Sequence, residues 1–388
     1  MNRAHRVSGN ELTLLQNGAA FFPQLCSDID AARHSVCIET YIFAADETGQ
    51  LVAEALLRAA ERGVNVRLLL DGFGSAELPG AFVDNLRKFG VEVQWFRREI
   101  SPFTLSRSRM RRLRRMHRKM AVMDGEVAFV GGINIINDIP AKLDFDAPRL
   151  DFAVRIKGEL VGEVHAAMQR LWEMVSWAAF RKHIKEQGWR LHRIKPHHDS
   201  NVQLVLRDNV RHRRDIERAY LKAIAGAKKE IIIANAYFLP GRLFRRALVH
   251  AAQRGVRVVL LLQGKVEYRL QHYATLALYG RLLHAGVEIY EYHASYLHAK
   301  VAVADGEWAT VGSFNIDPFS LLLAREANLV VHDKAFAGAL RSSLQTAIER
   351  DGRRVELARA NLFTRILARM SYGLIRFIIG VLGMSKSH

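Results

Sequence analysis

The sequence predicts an α/β protein of two duplicated lobes, each a mixed, mostly parallel sheet flanked by helices. Three observations predict it. Three blocks recur in the same order, strand-like and helix-like runs alternate within each copy, and each copy ends in a two-strand signal at an Asp-Gly turn. "ALLRAAERGVNVRLLLDG" (Ala55 to Gly72) returns as "ALVHAAQRGVRVVLLLQG" (Ala247 to Gly264). "LRKFGVEVQWF" returns as "LLHAGVEIYEY", and "HRKMAVMDGEVAFVGGINI" as "HAKVAVADGEWATVGSFNI". One such match is plausible by chance; three in order are not.

The elements follow from periodicity. "SVCIETYIF" and its counterpart "EIIIANAYF" are β-branched and aromatic runs, hence strands. "LVAEALLRAAERG" has helical spacing and stops at Gly63, a natural C-cap. "VNVRLLLDG" is a strand, a short helix ends near Gly90, and "VEVQWF" is a strand. "KMAVMDG" and "EVAFVGG" meet at Asp124-Gly125 as a hairpin. Residues 1–180 are read as the first lobe, 181–200 as a basic linker, 201–358 as the second lobe and 359–388 as an amphipathic tail. The three histidines near the end of the linker have no carboxylate or cysteine at ligand spacing, so it reads as solvated chain.

Bulk properties narrow the function. A chain of 388 residues has room for two cores. Its 57 Lys+Arg against 39 Asp+Glu, net +18, draw it to polyanions: nucleic acid, an anionic membrane or phosphate-bearing substrates. The two cysteines, Cys26 and Cys37, form no zinc spacing or disulfide framework and fit a reducing compartment. The first twenty residues lack the apolar core of a signal peptide, and no uninterrupted apolar run is long enough for a membrane span.

The chemistry lies in the repeated third block. Each copy carries His-x-Lys-x(4)-Asp, then Gly-Gly or Gly-Ser, then Asn. The first set is His117, Lys119, Asp124, Gly131, Gly132 and Asn134; the second is His298, Lys300, Asp305, Gly312, Ser313 and Asn315. Residues two apart on a strand share a face. A face with His and Lys is no ordinary core, because burying an unpaired ammonium is costly. Asp124 and Asp305 precede glycines at the hairpin turn and are expected to fix the strand that carries His and Lys. Two imidazoles can run phosphodiester exchange: one attacks phosphorus, the other handles the alcohol's proton. Lys119, Lys300, Asn134 and Asn315 can hold the phosphate oxygens, so neither a metal nor any other cofactor is required. Asp151 in "RLDFAVRIKG" and Glu326 in "AREANLVVHD" open equivalent strands and are assigned as orienting groups, Asp151 for His117 and Glu326 for His298. Glu39 and Asn235 match across the repeat and are candidates for lining the cleft.

This duplicated motif resembles that of the phospholipase D superfamily. Within it, "MHRKMAVMDGEVAFVGGINI", "NAYFLPG", "ATVGSFNIDP" and "EANLVVHD" look like the bacterial cardiolipin synthases of the shorter type without N-terminal membrane spans, over roughly residues 10 to 350. The resemblance implies an active site at the pseudo-two-fold interface of the lobes and a covalent phosphohistidine. It also implies His117 as nucleophile, His298 as general acid and base, and a peripheral place on the cytoplasmic face of the bacterial membrane. Two phosphatidylglycerols would yield cardiolipin and glycerol. Exchange of another headgroup, hydrolysis, or cleavage of nucleic acid are the alternatives.

Two features favour lipid. In "NLFTRILARMSYGLIRFIIGVLG", Arg365, Arg369 and Arg376 form a cationic stripe beside a broad apolar face, the pattern of an interfacial helix. Docking on the protein's own core is the other reading. In "LSRSRMRRLRRMHR", Arg107 to Arg118 include no aromatic for base stacking, so the run is expected to form a basic lip facing an anionic bilayer of phosphatidylglycerol. No nucleic acid and no obligate protein partner are expected.

Overall fold

A computed structural model describes residues 3–97, 114–139, 147–178, 201–208, 212–356 and 362–381. The linker and most of the arginine run lie outside them. In the first lobe, β1 (Ala4–Val7), β2 (Asn10–Gln16), α1 (Asn17–Ala31), β3 (Ser35–Thr40), α2 (Glu47–Glu61), β4 (Asn65–Asp71), α3 (Gly80–Lys88) and β5 (Glu92–Phe96) lead to the His-Lys block. There β6 (Arg115–Met116), β7 (Lys119–Met123), β8 (Val127–Gly131), β9 (Phe152–Gly158) and α4 (Leu160–Ala178) follow. The second lobe runs β10 (Val202–Arg207), α5 (Asp215–Gly226), β11 (Glu230–Asn235), α6 (Arg242–Gln253), β12 (Arg257–Gln263), α7 (Arg269–His284) and β13 (Glu288–Tyr292). It ends with β14 (Lys300–Ala304), β15 (Trp308–Gly312), α8 (Pro318–Leu323), β16 (Ala324–His332), α9 (Lys334–Asp351), β17 (Gly352–Arg354) and α10 (Leu362–Val381).

The sheets are β1-β2-β9-β8-β7-β3-β4-β5 and β10-β16-β15-β14-β11-β12-β13-β17. The mixed character and the duplication match the expectation, but the parallel share is smaller than alternation implied. Among the described residues, apart from the short parallel contact of β6 with β16, only β3-β4-β5 and β11-β12-β13 pair in parallel. The hairpins β7-β8 and β14-β15, and the strands that follow them, all add antiparallel. Helices flank the parallel part because a parallel connection must cross a face.

Each lobe has its own outer core. Val52, Leu56, Leu68 and Val93 are buried in the first, Leu248, Leu260, Leu278 and Ile289 in the second. A third cluster belongs to both lobes: Val130, Phe152 and Val154 of the first sheet join Val301, Val311 and Leu329 of the second, with Met168 and Phe336 from the helices. This shared core fixes the two hairpin blocks against one another. Cys26 and Cys37 pack into the first lobe, and burial pushes their thiols up to about 11 and about 12, out of the reactive range.

Helix α10 packs against α7, so the tail docks on the protein. Its small residues Ala368 and Ser371, with Ile375, are buried, while Ile366, Met370, Leu374 and Phe377 stand exposed. At ~100° per residue those four span about 80° on the side opposite the buried three. The helix docks through one face and shows solvent a bulky apolar stripe on another.

Candidate active site

The hairpin aspartates act as the turn chemistry predicts. Asp124 adopts a left-handed φ of 53° and its carboxylate accepts the backbone N–H groups of Arg33, His34 and Ser35 at 2.7–2.8 Å. Asp305, at φ 54°, accepts those of Lys228, Lys229 and Glu230 at 2.8–2.9 Å. Each therefore ties the far end of the His-Lys strand to the start of β3 or β11.

The near end is held by residues the motif does not contain. The Asp71 carboxylate accepts the N–H of Met116 at 2.7 Å, and the Gln263 amide oxygen accepts that of Leu297 at 3.2 Å. Both backbone groups immediately precede a motif histidine, His117 or His298. The signal was present in the aligned repeat, "LLLDG" against "LLLQG", where these residues read as ordinary strand ends.

The strands that carry the histidines then cross between lobes. Arg115 and Met116 pair in parallel with Ala324 and Arg325 of β16, and the His117 N–H donates to the Arg325 carbonyl at 2.9 Å. Reciprocally, Leu297 bridges Leu150 and the His298 N–H donates to the Leu150 carbonyl at 2.9 Å. Glu326 and Asp151 are the next residues along, so each carboxylate lies beside the other lobe's imidazole. Nδ1 of His117 is 3.0 Å from Glu326 Oε2, and Nδ1 of His298 is 2.6 Å from Asp151 Oδ2. The within-lobe pairing, Asp151 with His117 and Glu326 with His298, is thus corrected: both residues orient histidines, with partners exchanged. A proton on each Nδ1 leaves each Nε2 as a bare lone pair.

The glycines make room for this. A Cβ on Gly132 would lie 2.3 Å from Asp151 Oδ1. Ser313 stands at the matching place in the second lobe, where its hydroxyl donates to Glu326 Oε2 at 2.5 Å. Lys119 donates to the His117 carbonyl at 2.7 Å, and Lys300 likewise to that of His298. Asn134 accepts the Ile42 N–H at 3.2 Å, which leaves its Nδ2 as donor, whereas the buried Asn315 Oδ1 has no hydrogen-bond partner among the described residues. The Tyr41 ring meets the His117 imidazole edge-on at 4.8 Å, with Lys119 over its face at 5.1 Å.

Burial sets the protonation of the group. It lowers His117, against the pull of Glu326, and lowers His298 further, helped by Lys300 and Lys119. Burial and the facing Lys300 push the Lys119 ammonium well down, and burial brings Lys300 to about 8 despite Asp151. Burial raises Asp151 to about 6 against Lys300. Near neutrality Asp151 is therefore ionised, Lys300 keeps its proton and both imidazoles are neutral. An arriving phosphodiester adds one negative charge and favours protonating one imidazole.

Three expectations change. Arg118, the last arginine of the proposed lip, is buried and pairs with Glu39 at 2.7 Å, so it belongs to the interior. Glu39, raised by burial to about 7, props the strand from within. Asn235 does so by bonding Phe314 and Ile316 backbone groups at 3.3 and 3.1 Å; neither lines the cleft.

The chain matches the family model described as cardiolipin synthase, phospholipase D-like domain, over residues 25–172 and 220–348. It is 40% identical to cardiolipin synthase B of Salmonella typhi over 358 residues, covering 90% of this chain and 83% of that one. Cardiolipin synthase B of Escherichia coli K12 is 39% identical, with the same coverage. The cardiolipin synthase of Geobacillus kaustophilus is 32% identical over 84% of this chain and 64% of its own. Among solved structures, the phosphatidylserine synthase of Haemophilus influenzae superposes with a TM-score of 0.68 at 15% identity, covering 96% of this chain and 94% of that one. The polyphosphate kinase of Porphyromonas gingivalis gives 0.58 at 13% identity, covering 96% and 53%; both likenesses speak to fold alone.

Proposed function

The chain belongs to the phospholipase D-like cardiolipin synthase family, and from that premise we propose that it transfers a phosphatidyl group between two phosphatidylglycerols, giving cardiolipin and glycerol. One observation carries the mechanism: two imidazoles, each braced at Nδ1 by a carboxylate of the opposite lobe, with a buried lysine beside each.

In the first step His117 Nε2 attacks phosphorus, forming a P–N bond while the P–O bond to glycerol breaks. His298, protonated in the presence of the phosphate charge, gives its Nε2 proton to the departing alkoxide. In the second step the hydroxyl of another phosphatidylglycerol attacks phosphorus, its proton passes to His298, and the P–N electron pair returns to His117. Lys119, Lys300, Asn134 and Asn315 hold the non-bridging oxygens as charge builds there. Glu326 and Asp151 stabilise the imidazolium that each histidine becomes. Exchanging one phosphodiester for another needs no energy donor.

Membrane contact falls to the exposed stripe of α10 and to Val266, Tyr268 and Leu270 at the start of α7, all exposed. Among the described residues no helix is long and apolar enough to cross a membrane, and this stripe supports seating at the surface of a bilayer instead. It also favours lipid over nucleic acid as substrate.

The test is to incubate the purified protein with phosphatidylglycerol vesicles and EDTA and assay cardiolipin and free glycerol. Equimolar formation of both is expected, abolished by His117→Ala or His298→Ala. Phosphatidic acid as the main product, or full activity in either variant, would overturn the proposal.

A further inference from the structure

A cavity open to solvent lies at the C-terminal ends of the parallel strands β11 and β12, under the start of α7. Its walls are polar and aromatic: Tyr237, Gln263, Lys265, Glu267, Gln271 and His272 are among the lining side chains. It adjoins the catalytic histidine of its own lobe, because Gln263 in its wall holds the N–H of Leu297, next to His298. The Glu267 charge is near enough to Lys300 to help hold that ammonium protonated against burial. Glu267 accepts the Tyr237 hydroxyl at 2.5 Å, and the Tyr237 and Tyr268 rings meet edge-on at 5.7 Å.

In the first lobe the stretch that follows β4, the counterpart of β12, is a closely bonded turn. There the Asp71 carboxylate caps a tight turn through Phe73 and Gly74, and Ser75 bonds both the Tyr41 carbonyl and the Phe43 N–H. A Cβ on Gly74 would lie 2.3 Å from the Tyr41 carbonyl oxygen. In the second lobe α7 is longer than its counterpart α3, 16 residues against 9, and its first turns form the cavity wall. The duplication has therefore kept the half-sites alike while the segments that flank them differ between the lobes.

In-line displacement gives that asymmetry a meaning. If His117 attacks phosphorus from one side, the leaving alcohol departs on the other, beside His298, and the incoming alcohol must re-enter there. We propose that this cavity is the alcohol subsite, which takes the glycerol headgroup of the donor lipid and then that of the acceptor, selecting polyols by hydrogen bonds that Glu267 accepts from their hydroxyls and by those they share with Gln271 and His272. Lys265 opposes a cationic amino-alcohol in the same place. The assignment rests on the transferase reading above and adds the substrate's recognition to it. The bond changes are those already written: the alcohol oxygen bonds phosphorus, the P–N bond breaks with its pair returning to His117, and the alcohol proton goes to His298.

A competition isolates the subsite. Wild type, Glu267→Gln and Gln271→Leu are each given phosphatidylglycerol vesicles with equal concentrations of labelled glycerol and 1-propanol. The ratio of labelled phosphatidylglycerol to phosphatidylpropanol is read. Both alcohols meet the same phosphohistidine, so changes in its formation cancel. Wild type should favour glycerol, and each variant should lower the ratio by about 5- to 10-fold, the loss expected for one hydrogen bond to the substrate. Glu267 and Gln271 lie at the cavity mouth and wall rather than in the core, so both variants are expected to fold. An active wild type with no preference, or a ratio unchanged in both variants, would overturn the assignment while sparing the transferase reading. A wild type that consumed no phosphatidylglycerol would overturn both.

Discussion

The crossed carboxylates give the most discriminating prediction. Glu326→Gln keeps the size and the acceptor for Ser313 but removes the charge 3.0 Å from His117 Nδ1; Asp151→Asn does the same 2.6 Å from His298 Nδ1. Both carboxylates are buried, so solvent does not dilute the effect. A hydrogen bond to a charged partner contributes about 1.5–3 kcal/mol. At about 1.4 kcal/mol per decade, each variant should lose roughly 10- to 100-fold in rate. Magnitude alone does not tell which histidine each serves, but leaving-group dependence does. A soluble phosphodiester that releases p-nitrophenolate needs no proton, so the general acid is dispensable in its first step.

The assay is the burst of p-nitrophenolate per site, set beside the rate on phosphatidylglycerol. With His117 as nucleophile, His298→Ala and Asp151→Asn should recover most of their loss on the activated substrate. His117→Ala and Glu326→Gln should not. The comparison is internal: each carboxylate variant should share the leaving-group pattern of the histidine it touches, whichever histidine attacks. Asp151→Asn following the pattern of His117→Ala would refute the crossed geometry and restore pairing within each lobe.

The pH profile of kcat/KM, which reports the free enzyme, should be a bell. Activity should fall as pH drops through about 6, where Asp151 takes a proton and no longer braces His298, and fall again above about 8, where Lys300 loses its charge. In Asp151→Glu the acid limb should move, and an unmoved limb would assign it elsewhere. Asp124→Ala frees three backbone N–H groups and leaves alanine at a left-handed φ, so it should cost about 1–2 kcal/mol, read as a lower urea midpoint; an unchanged midpoint would refute the strand-tying role. Met370→Glu with Phe377→Glu alters only exposed side chains and should weaken binding to phosphatidylglycerol vesicles while turnover of a short-chain soluble lipid persists. Parallel loss of both activities would place the stripe in the fold instead.

Most of the fold was legible because duplication wrote it twice. Strand and helix positions in the first copy were checked by the second, and the hairpin, its turn aspartates and the His-Lys face followed from local rules. The parallel share was overestimated because alternation reports connections, whereas the antiparallel additions β2, β9, β10 and β16 are set by long-range pairing. Arg118 was misplaced for a related reason. Seven arginines close together read as one basic lip, yet a strand residue between His117 and Lys119 points to the opposite face, where Glu39 waits.

The exchange of Asp151 and Glu326 was beyond sequence reading in principle. A repeat shows which residues are equivalent, and equivalence is satisfied equally by two self-contained half-sites or by two that swap partners. Only the short bridges, Met116 with Arg325 and Leu150 with Leu297, decide between them, and neither leaves a periodic trace. The swap also explains why the shared core must be continuous across both sheets. Each lobe holds its own histidine, lysine and asparagine, but its imidazole is oriented by a carboxylate it does not own. A separated lobe would keep the whole motif and lose the group that fixes the tautomer. On the proposed mechanism, docking of the two lobes is therefore a condition for the chemistry, because the core shared by Val130, Val154, Val311 and Leu329 holds two carboxylates within hydrogen-bond reach of two rings.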